Sequence, residues 1–368
     1  MSQDSTSVWA SDWGREIERN LLRARNGIKF VWGARFSEVG TTPKDTVWRS
    51  RKAELWRYRS PNPRRYRTPL LLYIGLVSRS YVLDLHPGNS LVERLLERGY
   101  DVFVLDWGIP DEADAESGLE VYVNELLPRA IRAVLRAAQA DELNLLAYCM
   151  GGTLTLMLLG TRDIPAVRSL VMIATPIDFS KMGSFYEPLL SGKANPDQMI
   201  DETGNLPASV VHNMVRVRRP TGDLVQYANL CERMWSANFL EGFQAMRGWV
   251  SDHIPLPGRF FREILQGWLV KNGFVTGTLC LAGKPVDLRR IDVPVLCMIA
   301  EHDEMIPYDA AIPLPALLTA TDAECVVLKS GHVSLVCGRS VENRTMPILD
   351  QWLQRHSDPV LEGDALGE

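Results

Sequence analysis

The residues best suited to covalent chemistry lie in the segment Leu143-Asn-Leu-Leu-Ala-Tyr-Cys149-Met-Gly-Gly-Thr-Leu154. An apolar strand pattern runs into a small-x-Cys-x-Gly turn, and a helical pattern follows. A turn of this kind is a nucleophile elbow, here with cysteine in the usual place of serine. It needs small residues at Ala147 and Gly151, because larger ones would collide with the neighbouring strand and helix. At the head of the following helix, free backbone N–H groups and the helix dipole favour a thiolate on Cys149. The Met150 N–H is then one donor of an oxyanion hole. The plain alternative for any cysteine on an apolar strand is a buried, inert thiol. That reading is adopted for Cys231, Cys280, Cys297, Cys325 and Cys337.

A cysteine nucleophile needs a base and a group to orient it. The apolar run Val293–Ala300 leads into Glu301-His-Asp303-Glu-Met-Ile-Pro307, and Asp303 is the carboxylate chosen, with Glu301 and Glu304 as rivals. The next strand pattern, Glu324–Leu328, leads into Lys329-Ser-Gly-His332. Of the six histidines, His332 alone stands in that place; His302 comes too early in the order and reads as structural. Asp252 and His253 read as turn residues rather than substrate ligands. Nucleophile, then acid, then histidine is the α/β-hydrolase order, so Cys149, Asp303 and His332 form the expected triad. A second oxyanion donor is expected from the loop after the early strand Leu70–Ile74, at the backbone of Leu76 or Val77.

The elements that must position these groups are legible as alternating apolar runs and amphipathic segments from residue 68 onward. They are Leu70–Ile74, Val102–Trp107, Leu143–Tyr148, Ser169–Ala174, Val293–Ala300 and Cys325–Leu328. This pattern gives an α/β fold, a mostly parallel sheet flanked by helices. Ser90 and Glu93 form a capping-box signature for a helix ending at Gly99, and Pro128 is expected to kink the helix over Leu119–Gln139. The alternation stops after Ala174 and resumes near Val293. The expected organisation is an N-terminal helical segment and basic hairpin over 1–67, a core over 68–177 and 289–356, a cap inserted over 178–288, and a tail over 357–368. A cap over the C-terminal ends of the strands covers the place where open α/β sheets bind ligands. Its aromatic residues, such as Trp235, Phe260 and Trp268, read mostly as packing.

The chain has 368 residues, 46% of them hydrophobic, a formal charge of −5 and no paired-cysteine pattern. That balance speaks against a nucleic-acid binder and against a disulfide scaffold. Met1–Ser7 lacks the basic and apolar parts of a secretory signal, and no apolar run is long enough to cross a bilayer, so free thiols in the cytoplasm are expected. Between Arg49 and Arg67 stand eight basic residues against one acidic, Glu54. A solvated hairpin face is the favoured reading, and a docking surface for a phosphate-bearing substrate or acidic partner the other.

A thiol nucleophile suits a thioester substrate, since exchange of one thioester for another is nearly neutral and leaves an acyl group reactive toward an alcohol. The chain further resembles the polyhydroxyalkanoate synthases. The resemblance rests on the cysteine elbow and on Ser90-Leu-Val-Glu-Arg-Leu-Leu-Glu-Arg-Gly99, Val104-Leu-Asp-Trp-Gly-Ile-Pro-Asp111, Ala174-Thr-Pro-Ile-Asp-Phe179, Gly283-Lys-Pro-Val-Asp-Leu288, Val293-Pro-Val-Leu296 leading to Asp303, and Gly331-His332. It implies an α/β-hydrolase fold and polymerisation of 3-hydroxyacyl-coenzyme A through a Cys149 thioester, with no metal or bound organic cofactor. The short length resembles the class III and IV enzymes, which implies a small partner subunit, a homodimer, and a growing polyester chain held at a cytoplasmic granule. Two departures stand out: Ala147 replaces a glycine, and His332 is followed by Val-Ser-Leu-Val-Cys-Gly rather than by an early glycine. A thioesterase or esterase on the same triad, and an idle granule-binding scaffold, are the competing readings.

Overall fold

A computed structural model of the chain describes residues 5–32, 38–183, 187, 195–217, 227, 230–320 and 322–361. Of the expected segments, the tail residues 362–368, residues 1–4 and 33–37 of the N-terminal part and residues 184–186, 188–194, 218–226 and 228–229 of the insertion lie outside the described residues.

The eight strands of the main sheet are β1 (Lys44–Ser50), β2 (Ala53–Tyr58), β3 (Leu70–Ile74), β4 (Val102–Asp106), β5 (Leu143–Tyr148), β6 (Val167–Ile173), β7 (Val295–Ala300) and β8 (Ala323–Leu328). Their spatial order is β1-β2-β4-β3-β5-β6-β7-β8. β1 and β2 form an antiparallel hairpin, β2 runs antiparallel to β4, and every pairing from β4 to β8 is parallel. β3 and β5 are buried at every position, as is expected where helices cover both faces of a parallel sheet. Successive residues alternate between two cores: Leu71, Tyr73, Leu145 and Ala147 face one side, and Leu70, Leu72, Leu146 and Tyr148 the other.

Register sets where function can be built. Ile74 lies beside Tyr148, Tyr148 beside Ile173, and Ala300 beside Leu328. The strands that carry the three candidate residues and the candidate oxyanion loop thus end together at one edge of the sheet.

The principal helices are α1 (Ser5–Val31), α2 (Leu91–Glu97), α3 (Leu127–Ala138), α4 (Met150–Thr161), α5 (Ala208–Val217), α6 (Ala237–Ser251), α7 (Gly258–Ile264) and α8 (Met346–Arg355). Ser90 caps α2 as its sequence predicts, accepting from the Glu93 N–H at 3.0 Å. The reciprocal half of the capping box does not form, because the Glu93 carboxylate takes the Gly88 N–H instead. Around Pro128 the chain does not bend a regular α-helix. A π-helical stretch over Val121–Leu126 runs straight into α3, and Pro128 stands just past the junction.

Between β6 and β7 lie α5, α6, α7 and two short strand pairs. The aromatic side chains here are mostly packing. Tyr73, Trp107, Tyr122, Phe260 and Trp268 form a chain of edge-on contacts, 5.3 to 6.5 Å between ring centres, from the sheet into this segment.

Candidate active site

Cys149 closes β5 and opens α4 with φ 54° and ψ −123°. A non-glycine residue with positive φ is strained, and such strain is held only where surrounding packing dictates it. Here it is dictated on three sides. A Cβ at Gly151 would meet the Tyr73 carbonyl oxygen at 3.0 Å, and one at Gly152 would meet Thr175 Oγ1 at 2.0 Å. The Cys149 N–H is tied to the Ile173 carbonyl at 2.8 Å. The sharp turn lifts a half-buried thiol to the sheet edge and aims the first N–H groups of α4 at the same space.

Asp303 is held with similar economy. Its Oδ1 accepts from the N–H groups of Met305 at 2.8 Å and Ile306 at 2.7 Å, and its Oδ2 faces His332 Nδ1 at 2.7 Å. The side chains of His332 and Asp303 are 10% and 1% exposed, so little water competes for this bond. The turns carrying them are laced together: Glu301 N–H donates to the Leu328 carbonyl and His302 N–H to the Ser330 carbonyl. Glu301 and His302 are exposed and Glu304 is exposed, while Asp303 between them is buried, so geometry separates the chosen acid from its rivals.

Burial alone would pull the His332 pKa down, but Asp303, and after it Cys149, push it up to about 10. The imidazole is therefore a site that favours a proton when flanked by two anions. Tyr148 supports it from below, with ring centres 4.9 Å apart.

The second wall of the site comes from the loop after β3. A Cβ at Gly75 would lie 2.3 Å from the Met150 Cβ, so this loop lies directly against the first residue of α4. Leu76 is buried and Val77 half-buried just beyond. Sequence reasoning misses Gly75, and misses Trp107, whose indole N–H donates to the Ile74 carbonyl at 2.7 Å and braces the end of β3. The same loop is stitched to the end of α6 and the segment after it: Ser78 bridges His253, Tyr81 donates to Asp252 at 3.0 Å, and Trp249, in the last turn of α6, donates to the Arg79 carbonyl at 2.8 Å. Asp252 and His253 thus make cross-loop contacts instead of a purely local turn.

Of the other cysteines, Cys297 and Cys337 are buried, and burial pushes the Cys297 thiol well above its ordinary range and the Cys337 thiol up to about 12. Cys325 is half-buried, and Cys231 and Cys280 are exposed, contrary to the expectation of burial. Cys280 sits on a two-residue strand outside the main sheet, where Leu281 takes the buried side, and Cys231 follows the buried Leu230. The early glycine missing after His332 is replaced by a short 3-10 turn, Val333–Leu335, with the glycine delayed to Gly338 at φ 86°.

The basic stretch is no free cationic surface. Arg49 pairs with Glu54, Lys52 with Asp111 and Asp114, Arg59 with Asp45, and Arg57 and Arg64 converge on Asp101. Among the described residues no group of three or more His, Cys, Asp or Glu side chains is arranged to hold a metal ion.

Sheet order, strained elbow and the Asp303–His332 pair define an α/β-hydrolase fold. The α/β hydrolase fold family matches residues 48–204, and a solved structure described as a putative lipase from Sulfolobus solfataricus superposes with TM-score 0.53 at 15% identity, covering 85% of this chain and 99% of that one. Among curated proteins, the poly(3-hydroxyalkanoate) polymerase subunit PhaC of Haloarcula marismortui is 30% identical over 89% of this chain and 70% of its own length. The PhaC subunit of Allochromatium vinosum is 30% identical over 89% of this chain and 92% of its own. That of Haloferax mediterranei is 31% identical over 87% of this chain, which spans 65% of that relative's length. The chain belongs to the PhaC family of poly(3-hydroxyalkanoate) polymerases.

Proposed function

We propose that Cys149 carries the growing acyl group as a thioester, with His332 as its proton carrier and Asp303 orienting His332. As a PhaC family member the chain is a poly(3-hydroxyalkanoate) polymerase, an acyltransferase. The observation that carries the residue assignment is the strained cysteine at φ 54° at the same sheet edge as the buried Asp303–His332 pair. The substrate proposed is 3-hydroxyacyl-coenzyme A, and the product a polyester.

In the first step the Cys149 sulfur, its proton moved to His332, attacks the thioester carbonyl. The S–C bond to Cys149 forms, the bond to coenzyme A breaks, and the His332 proton leaves with the coenzyme A thiol. The negative oxygen of the tetrahedral intermediate is met by the N–H of Met150 and by one from the Leu76–Val77 loop, Val77 being the donor assigned. In the second step His332 takes the proton of an incoming 3-hydroxyl, whose oxygen attacks the Cys149 thioester. The C–O ester bond forms, the S–C bond breaks, and the sulfur is reprotonated from His332. Asp303, fixed by two backbone N–H groups, holds His332 in one tautomer and offsets its charge at both steps.

We assign no metal or organic cofactor to the chemistry. The relatives are named as subunits, which supports a second subunit for this chain too; homodimers and association with cytoplasmic polyester granules are proposed from the family resemblance. Among the described residues no helix is long and apolar enough to cross a membrane.

The test is to incubate the purified chain with 3-hydroxybutyryl-coenzyme A, follow thiol release and weigh the acyl product by mass spectrometry. Oligomeric ester is expected. Free 3-hydroxybutyrate in step with thiol release would make the chain a thioesterase, with water reaching the acyl-Cys149 intermediate.

A further inference from the structure

The loop after β3 is held at both ends by two consecutive residues of another strand. Asp106 closes β4 and Trp107 follows it. β3 and β4 run parallel with Tyr73 beside Leu105, so the two strands end level with each other. The Trp107 indole N–H donates to the Ile74 carbonyl at 2.7 Å, where the loop begins. The Asp106 Oδ2 accepts from the hydroxyl of Ser80, where the loop enters a 3-10 turn over Ser80–Leu83. Asp106, Trp107 and Ser80 are all buried, so water does not compete for either bond. Only residues 75–79 lie between the two fixed points, and Val77 is the middle one.

The fixed points are themselves fixed. Asp106 Oδ1 accepts from the Gly108 N–H at 2.9 Å, and Gly108 has φ 75°. A Cβ at Gly108 would run into the Lys52 carbonyl oxygen, so the turn after β4 is seated on the β1–β2 hairpin. On the other side of the loop, a Cβ at Gly75 would run into the Met150 side chain, and Leu76 shares one buried core with Trp107. The bonds of Asp106 and Trp107 go to the loop and to Gly108, not to Cys149, Asp303 or His332. An oxyanion donor works only when it is aimed in advance at the place the charged oxygen will take. A misplacement of about 1 Å costs a rate factor of about 100.

We propose that Asp106 and Trp107 are positioning residues for acyl transfer: they clamp the two ends of the loop 75–79 and so hold the Val77 N–H, beside that of Met150, at the place of the intermediate's oxygen. This role rests on the proposed roles of Cys149 and Val77. A clamp that served the fold alone would affect every reaction of the site. A clamp on the oxyanion donor affects only reactions in which an oxyanion forms. Iodoacetamide separates the two, because the Cys149 sulfur displaces iodide from a tetrahedral carbon. The S–C bond forms as the C–I bond breaks, and no oxygen gains charge.

The experiment compares the full chain with its Asp106→Ala and Trp107→Phe variants. Coenzyme A release from 3-hydroxybutyryl-coenzyme A is one readout, and the rate of Cys149 alkylation, read by peptide mass so that the exposed Cys231 and Cys280 do not interfere, is the other. Both variants should lower kcat by about 10- to 100-fold with KM within about threefold, while Cys149 alkylation stays within about twofold. Ser80→Ala removes the Asp106 bond from the loop side and should show the same split. Asp106→Asn should recover most of the rate, since its amide accepts from Gly108 and donates to Ser80. Parent-level kcat in both variants, or alkylation slowed as much as coenzyme A release, overturns the proposal. So does an Asp106→Asn protein as slow as Asp106→Ala, which would make the carboxylate's charge, felt at Lys44, the cause. Failure of the catalytic assignment looks different: the parent chain would go on releasing coenzyme A with Cys149 alkylated, and the positioning role would fall with it.

Discussion

Two regions of this molecule are rich in charge and use it in opposite ways. At the edge of β5, β7 and β8, one carboxylate and one imidazole meet with almost no water, each oxygen of Asp303 assigned to a partner. On the β1–β2 hairpin and the loop after it, eight basic residues are spread over nineteen positions. Three of them, Arg49, Lys52 and Arg59, pair with acids at the surface, Arg59 and Asp45 at 66% and 53% exposure. The abundance of charge marks the second region in sequence, but desolvation and direction suit the first to the proposed chemistry. Perturbing the site should therefore change rate by orders of magnitude, and perturbing the hairpin should change little.

The largest effect is expected at Cys149. Cys149→Ala should remove turnover by at least about 10⁴-fold while Cys297→Ala stays within a few-fold, as measured by coenzyme A release. Equal losses would move the nucleophile elsewhere. Next is Asp303→Asn, which keeps the shape but reverses the hydrogen-bond preference toward His332, and should lower kcat by about 10³- to 10⁴-fold. Glu301→Gln and Glu304→Gln, at exposed positions on the same turn, should stay within a few-fold. A comparable loss from either would break the contrast between buried and solvated acids.

Much of this contrast is legible in the amino-acid sequence alone, and the part that is not has a physical reason. Strands covered on both faces must be apolar throughout, so Leu70–Ile74 and Leu143–Tyr148 can be read to the residue. The elbow can be read because its small residues stand at fixed places around Cys149, although the atoms that demand them, on Tyr73 and Thr175, lie far along the chain. Gly75 cannot, since its requirement comes from Met150 and a lone glycine after a strand, outside any such spacing, looks like any turn. Trp107 is visible as part of a family-like segment, but its brace on Ile74 depends on how β3 and β4 pair. The partners of the basic stretch are equally hidden, because Asp101, Asp111 and Asp114 lie outside it.

The site's charge should also be visible in stability. The folded His332 pKa, about 10, stands above its ordinary value of 6.5. A raised pKa means that the folded state holds the proton more tightly, so the contribution is complete below the unfolded value. It is lost as pH rises through the folded one. The unfolding midpoint of the parent should therefore fall more steeply than that of His332→Gln as pH climbs between these two values. Parallel curves would show that the imidazole is no better protonated in the folded chain.

The hairpin supplies its own graded series. Arg57 binds Asp101 through two parallel bonds of 2.9 and 2.7 Å, and Arg64 adds a third at 3.2 Å, with the Asp101 side chain 3% exposed. Asp101→Asn leaves two partly buried guanidinium groups facing a neutral amide and should destabilise the fold by about 2 kcal/mol, read from denaturant unfolding.

The smallest effect is expected at Arg59. Its bond to Asp45 joins two side chains that are more than half exposed, so water and salt replace whatever either side loses. Arg59→Ala should leave the unfolding midpoint where it was at moderate salt, and should leave coenzyme A release unchanged as well. A clear loss of affinity for the acyl-coenzyme A substrate, with the midpoint intact, would reverse the argument. It would mean that the exposed arginines of the hairpin serve a phosphate-bearing ligand after all, and that solvated charge in this molecule carries function too.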